Sequence, residues 1–101
     1  MTRIGTFEFT APLVVHPGGS WHFATVPPDV SEDITDISTG IRRGFGSVRV
    51  AVVVGGTSWR TSVFPDRGAG TYLLPVKKAV RVAEHLHAGD DVEVRFDLVD
   101  L

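Results

Sequence analysis

The feature that most constrains the fold is the pair Gly55-Gly56, which separates two runs that alternate between apolar and polar residues. Two glycines between such runs are typical of a two-residue β-hairpin turn, because glycine readily adopts the positive φ angles of that turn. If these glycines form the turn, Val52 faces Trp59 across the hairpin. β-Branched and aromatic neighbours of this kind then form one apolar face, and we expect Trp59, like Trp21, to belong to the core.

The opposite face of this hairpin is polar and holds two arginines, Arg49 and Arg60, which project in the same direction about 7 Å apart by cross-strand diagonal geometry. Two cations at that separation favour a nearby negative charge. It could be a carboxylate of a neighbouring strand, such as Glu93 or Asp97, or the anionic group of a bound ligand, and both alternatives stay open. The candidate ligand residues on this face are Arg49, Arg60, Ser58 and Ser62.

A second strong pattern follows Pro75, which suits the first turn of a helix. Apolar residues then recur at helical spacing, and Gly89 ends the predicted helix. The opposite arc is basic, and free N–H groups after Pro75 could join it in holding a phosphate. The candidate ligand residues on this helix are Lys77, Lys78 and Arg81.

The rest of the chain completes a mainly β pattern. Two strands come first, and a short helix is predicted from Pro27-Pro28, with Asp29 as its N-cap and Gly40 as its stop. The predicted order is strand, strand, helix, hairpin, strand, helix, strand. We therefore expect a small closed or partly open β-barrel of six to seven strands with two short α-helices, because closure removes exposed sheet edges. The order strand, proline, helix, glycine, strand occurs around Pro27 and again around Pro75, which suggests an internal duplication.

Composition limits the classes of protein that fit. A chain of 101 residues is the size of one domain, and we expect residues 1–101 to form one. The absence of cysteine excludes disulfides and thiolate sites and fits a reducing compartment. We find no apolar run long enough for a membrane span and no signal peptide, so we predict a cytoplasmic protein without membrane contact. The net charge of −2 argues against nucleic acid as a partner.

The sequence offers no convincing catalytic or metal site, and we predict no cofactor. His85 and His87 are two residues apart on the predicted helix, so their side chains diverge, whereas a chelating helical pair needs a spacing of four. The Gly-x-Ser-x-Gly motif of serine hydrolases is absent. Neither His16 nor His22 has an acidic residue at metal-ligand spacing.

A glycine-rich segment at residues 40–46 contains Arg42 and Arg43. Successive backbone N–H groups and guanidinium groups can hold an anion. The segment lacks the lysine and the following helix of a P-loop, so a surface loop is the simpler interpretation. Arg43 is nevertheless added to the candidate ligand residues.

Four segments carry a family resemblance: Trp21–Pro27, Trp59–Pro65, Tyr72–Arg81 and Gly89–Val94. In this order they resemble domain-of-unknown-function family 1905, over nearly the whole chain. The resemblance implies a small bacterial β-barrel, which occurs alone or fused to a bacteriocin-protection-type segment, and this chain resembles the stand-alone form. It supplies no catalytic residues.

The C-terminal third carries a second resemblance. Leu74-Pro75, the basic helix and the segment Gly89–Val92 are similar to the repeat of AbrB-like swapped-hairpin barrels, which bind DNA as dimers. This resemblance covers about 20 residues of a common strand–helix–strand shape. It implies a related fold and, as an alternative function, a DNA-binding homodimer.

The sequence thus leads to one main hypothesis and two alternatives. The main hypothesis is a non-enzymatic barrel module that binds a small polar or anionic ligand or a protein partner. An AbrB-like DNA-binding dimer would require a positive patch across two subunits and binding that weakens steeply with salt. An enzyme would require a deep pocket with a perturbed titratable residue.

Overall fold

The computed structural model describes residues 6–38 and 46–99. Within them the chain forms six β-strands and two α-helices in the predicted order. The strands are β1 (Thr6–Val15), β2 (His22–Val26), β3 (Val48–Val54), β4 (Thr57–Asp66), β5 (Thr71–Pro75) and β6 (Asp91–Leu98). The helices are α1 (Pro28–Ser38) and α2 (Lys78–Ala83).

The six strands close into an antiparallel barrel in which the order of neighbours is β1-β2-β5-β4-β3-β6, with β6 paired back to β1. The expected barrel is therefore confirmed in its closed form. The long strand β1 pairs with β6 from Thr6 to Pro12 and with β2 from Leu13 to Val15. Pro12, which has no N–H to donate, lies where the strand changes partner.

The predicted hairpin is confirmed in turn and register. Val52 lies opposite Trp59, and Val48 lies opposite Val63. Every second residue of β3 is buried, which places its valines in the barrel core. Fully burying each such side chain stabilises the fold by roughly 1.5–3 kcal/mol, which fixes the register because a one-residue slip would expose them all.

The topology divides the barrel into two equivalent halves of the form ββαβ. The first half is β1, β2, α1 and β3, and the second is β4, β5, α2 and β6. The equivalent strands are β1 and β4, β2 and β5, and β3 and β6. Exchanging the members of each pair leaves the order of neighbours around the barrel unchanged. β1 and β4 have 10 residues each, and β2 and β5 have 5 each. This arrangement supports the internal duplication that the sequence suggested.

Helix α1 is anchored in the barrel. It begins at Pro28, whose fixed φ suits the first helical position, so the predicted N-cap role of Asp29 is wrong and Asp29 lies in the first turn. Ile34 is fully buried. The buried Ser31 hydroxyl donates to Val26 O at 3.0 Å and accepts from Tyr72 N at 3.1 Å. The predicted stop, Gly40, lies outside the described residues.

Helix α2 is shorter than predicted, at six residues. Pro75 does not start it but ends β5, where it pairs with Phe23. Val76 N then donates to His22 O at 3.0 Å, which keeps the chain extended before the helix. Of the N–H groups after Pro75 that were predicted to hold a phosphate, the first, that of Val76, is therefore already used. The helix ends at Ala83, before His85, which has a φ of 55°.

Candidate ligand-binding cleft

The two arginines of the hairpin lie on its outer face, as predicted, but have different surroundings. Arg49 Nη1 donates to Ser62 Oγ at 3.4 Å. Among residues 6–38 and 46–99, no carboxylate oxygen lies within 4.0 Å of either guanidinium, so the predicted salt bridge to Glu93 or Asp97 is absent there. Arg60 instead lines a cleft.

The cleft encloses about 380 Å³ between β4, the start of β2, and the segment that leads from β5 into α2. Strand β4 lies beside β5, which brings the hairpin next to the residues after Pro75. The cleft thereby joins two groups of candidate residues that are separate in the sequence. Its charged, histidine and aromatic lining residues are Trp21, His22, Trp59, Arg60, Lys77 and Arg81.

Arg81 is held in place by two contacts on the wall of the cleft. Its Nε donates to Val76 O at 3.1 Å, and its Nη1 lies 3.5 Å from His22 Nε2. His22 Nδ1 lies 2.7 Å from Ser20 O. Because a carbonyl oxygen only accepts, Nδ1 carries the proton, and the neutral ring presents Nε2 as an acceptor to Arg81. The Nη2 protons of Arg81 have no partner among the described residues.

Both tryptophans of the chain line the cleft. The sequence predicted Trp21 in the core, which is wrong: it is 41% exposed, because it lies in the turn before β2 rather than on the inward face of a strand. Its ring packs against Phe23, with centroids 4.7 Å apart. Trp59 is half-buried and packs against the core, as predicted, while it also contributes to the cleft.

Charge distinguishes the cleft from three other depressions on the described surface. The cleft is lined by three cationic side chains and no carboxylate. The other depressions, of about 420, 410 and 250 Å³, each carry both signs. In that order, their oppositely charged lining residues are Arg60 and Asp97, then Arg95 with Glu8 and Glu93, then Arg67 and Asp66.

The predicted ligand residues therefore separate into two sets. The cleft brings together Arg60, Lys77 and Arg81. Arg49 and Ser62 contact each other on the outer face, and Ser58 lines an outer depression beside Arg60. Lys78 is exposed and does not line the cleft, and Arg43 lies outside the described residues.

Sequence reasoning missed the contributions of Trp21, His22 and Trp59 to the cleft. Trp21 and His22 follow a Gly-Gly-Ser turn, and a tryptophan at the edge of a turn rather than inside an alternating run is the signal that could have marked an exposed ring. Nothing local marks His22, because its role depends on Arg81, which is 59 residues away.

Two further observations concern the described residues alone. Within them, no group of three or more histidine, aspartate or glutamate side chains is arranged to hold a metal ion. Neither of the two helices has the length and apolarity to span a membrane.

Comparison with known proteins identifies a family but no activity. A search of curated proteins found no match to the chain. A family model matches residues 9–96, which extend from β1 into β6 and include both helices. The match agrees with the resemblance carried by the four sequence segments. The chain therefore belongs to the family described as Domain of unknown function (DUF1905).

Proposed function

We propose that the protein binds a small ligand through an anionic group held in the cleft. The observation that carries this proposal is that Arg60, Lys77 and Arg81 line the cleft without any carboxylate, while Asp97, in the depression that Arg60 also lines, forms no ion pair with it. Cations gathered in a concave site attract an anion, and the low-dielectric walls strengthen that attraction. The volume of about 380 Å³ fits a small-molecule site.

Arg60 is the first anchor of the ligand in this proposal. Its guanidinium has no carboxylate partner among the described residues, so all of its N–H donors are available to a ligand. A planar fork of this kind binds a carboxylate or a phosphate through two parallel hydrogen bonds. Arg81, already held by Val76 and His22, adds a second guanidinium with little further loss of side-chain entropy.

The arrangement favours binding over catalysis. Both ring nitrogens of His22 are engaged, Nδ1 with Ser20 O and Nε2 with Arg81. A general base needs a free nitrogen within hydrogen-bond reach of a nucleophile or a substrate proton. We therefore assign His22 to holding Arg81 rather than to proton transfer.

The proposal is tested with inorganic phosphate as the probe, at constant ionic strength set with sodium chloride. We expect phosphate to raise the melting temperature, because a ligand of the folded state stabilises it. Arg60→Gln should weaken phosphate binding about tenfold to a hundredfold, as measured by calorimetry, because a charge-assisted hydrogen-bond pair is lost. Arg49→Gln, on the same face of the same hairpin, is the matched control and should leave the affinity unchanged.

A second matched pair uses neighbouring lysines. Lys77→Gln should weaken phosphate binding up to about fivefold, as expected for an exposed charge, and Lys78→Gln should have no effect. Equal losses in both members of each pair would show attraction to net charge alone and contradict the proposal. Tight binding of duplex DNA with a steep salt dependence would instead favour the DNA-binding alternative.

A further inference from the structure

We infer that the ligand of the cleft carries a planar aromatic ring beside its anionic group. This inference rests on the proposed function and adds the class of ligand. It depends on the second group of residues in the cleft, Trp21 and Trp59, which are the only tryptophans of the chain. Anion binding alone gives no reason for two indole rings in the same cleft.

Trp21 offers a ring surface that the fold itself does not cover. One side of the indole packs against Phe23 at 4.7 Å, and His16 lies 6.3 Å from it, yet 41% of the residue remains exposed. These contacts hold the ring in place, so little conformational entropy is lost when a ligand packs on the exposed side. Rigid aromatic side chains of this kind are effective contacts in binding sites.

Trp59 supplies a fixed apolar surface in the same cleft. It lies opposite Val52 in the hairpin and packs against the buried core, which immobilises the indole. Trp59 and Arg60 are neighbours on β4 and would point to opposite faces of a flat strand, yet both line the cleft. The cleft therefore extends over the strand and offers an apolar contact and a cation to the same ligand.

The combination identifies the ligand by its chemistry. A free phosphate or a short aliphatic acid would pair with the cations but leave both indoles uncovered. An uncharged aromatic ring would cover the indoles but leave Arg60 and Lys77 without a counter-charge. A ring that bears an oxyanion, either a carboxylate or a phosphate, satisfies both groups, as in sites that combine apolar walls with a few placed polar groups.

Intrinsic fluorescence gives a site-specific measurement, because every tryptophan of the chain lines the cleft. The probes are benzoate, phenyl phosphate, cyclohexanecarboxylate and benzamide, titrated at constant ionic strength. We expect benzoate to bind about threefold to tenfold more tightly than cyclohexanecarboxylate, which has the same charge without an aromatic ring. Benzamide, which has the ring without the charge, should bind at least about tenfold more weakly than benzoate. Comparing benzoate with phenyl phosphate identifies the preferred oxyanion.

The variant Trp21→Ala separates the ring contact from the anion contact. Because this side chain is exposed, we expect the variant to fold, to bind cyclohexanecarboxylate as the parent does, and to lose most of the preference for benzoate. The control is Phe64→Ala, which removes another aromatic side chain that is 41% exposed but does not line the cleft. This control should keep the preference.

The outcomes distinguish this inference from the proposed function. Equal affinity for benzoate and cyclohexanecarboxylate in the parent protein, or an unchanged preference in Trp21→Ala, would overturn the aromatic ligand and leave anion binding in place. Failure of every anion, inorganic phosphate included, to bind would overturn both.

Discussion

The two halves of the barrel use the same topology but cover their equivalent strands differently. The helix of the first half, α1, packs at the start of β5 in the second half, where Thr71 and Tyr72 are buried. The helix of the second half, α2, lies near the start of β2 in the first half, the counterpart of β5. There His22 is only half-buried and the preceding Trp21 is exposed. The longer helix covers its strand, and the shorter helix leaves an opening.

This difference explains where the cleft is. Helix α1 has 11 residues and α2 has 6: α2 begins only after the extended residue Val76, and it ends at Ala83, shortly before His85 with its positive φ. The helices also differ in charge, since the exposed polar residues of α1 are mainly acidic and those beside α2 are basic. The acidic residues are Asp29, Glu32, Asp33 and Asp36, and the basic residues are Lys77 and Lys78. Helix α1 thus closes its part of the barrel surface, whereas α2 leaves open the cleft that we propose as a binding site.

The largest expected effect tests how firmly each helix is anchored. Ile34→Ala should lower the free energy of unfolding by about 4 kcal/mol, because it leaves a cavity under α1. The comparison variant on α2 is Val80→Ala, at the buried residue of that helix, and it should cost about 2 kcal/mol because it removes fewer atoms. Urea denaturation measures both values. Equal costs would mean that α2 contributes as much to the core as α1.

A somewhat smaller effect tests the hydrogen bonds that join α1 to the barrel. Ser31→Ala should cost about 2.5 kcal/mol in the free energy of unfolding, because Val26 O and Tyr72 N would both lose the buried hydroxyl. Ser58→Ala, at an exposed position of β4, is the control and should change stability by less than about 0.5 kcal/mol. A near-neutral Ser31→Ala would show that α1 is held by apolar packing alone.

The smallest effect concerns the polar contact that holds the end of α2. Glu84 accepts a hydrogen bond from Thr57 Oγ1 at 2.6 Å and lies directly over Gly55. Gly55→Ala should cost about 2 kcal/mol in thermal denaturation, because the residue has a φ of 58° and its new Cβ would displace the Glu84 carboxylate.

Gly56→Ala is the control for an alanine in this turn that has neither a positive φ nor a contact with Glu84. No atom lies within 4 Å of the position that its Cβ would occupy, so we expect a much smaller loss. If both alanine variants lost the same stability, the cause would be the turn in general and not the contact with Glu84.

The parts of the fold that could be predicted depend on local patterns. The hairpin was predictable in register because the turn at Gly55-Gly56 and the alternation on both sides are contained in one short segment. The buried face of β6 was predictable for the same reason, from alternation over Val92, Val94 and Phe96. Closure followed from the number of short strands and the need to avoid free edges.

The parts that could not be predicted depend on contacts between distant segments. Pro75 looks like a helix start, but its pairing with Phe23 of the neighbouring strand β2 keeps it in β5. The meeting of Arg60 with Lys77 and Arg81 requires β4 to lie beside β5, which no local pattern specifies. The extent of the domain, the bacterial source, the cytoplasmic location and a homodimer stay predictions.

The equivalence of the two halves has a consequence for the order of the chain. Each half contributes strands that lie between strands of the other, so neither half can complete the barrel by itself, and folding has to bring distant segments together. The first and last strands are paired, with Thr6 opposite Asp97. A circularly permuted chain that starts at Thr57 and continues from β6 into β1 would therefore have the same order of elements, one ββαβ half followed by another. The barrel topology is therefore the same whichever half comes first along the chain.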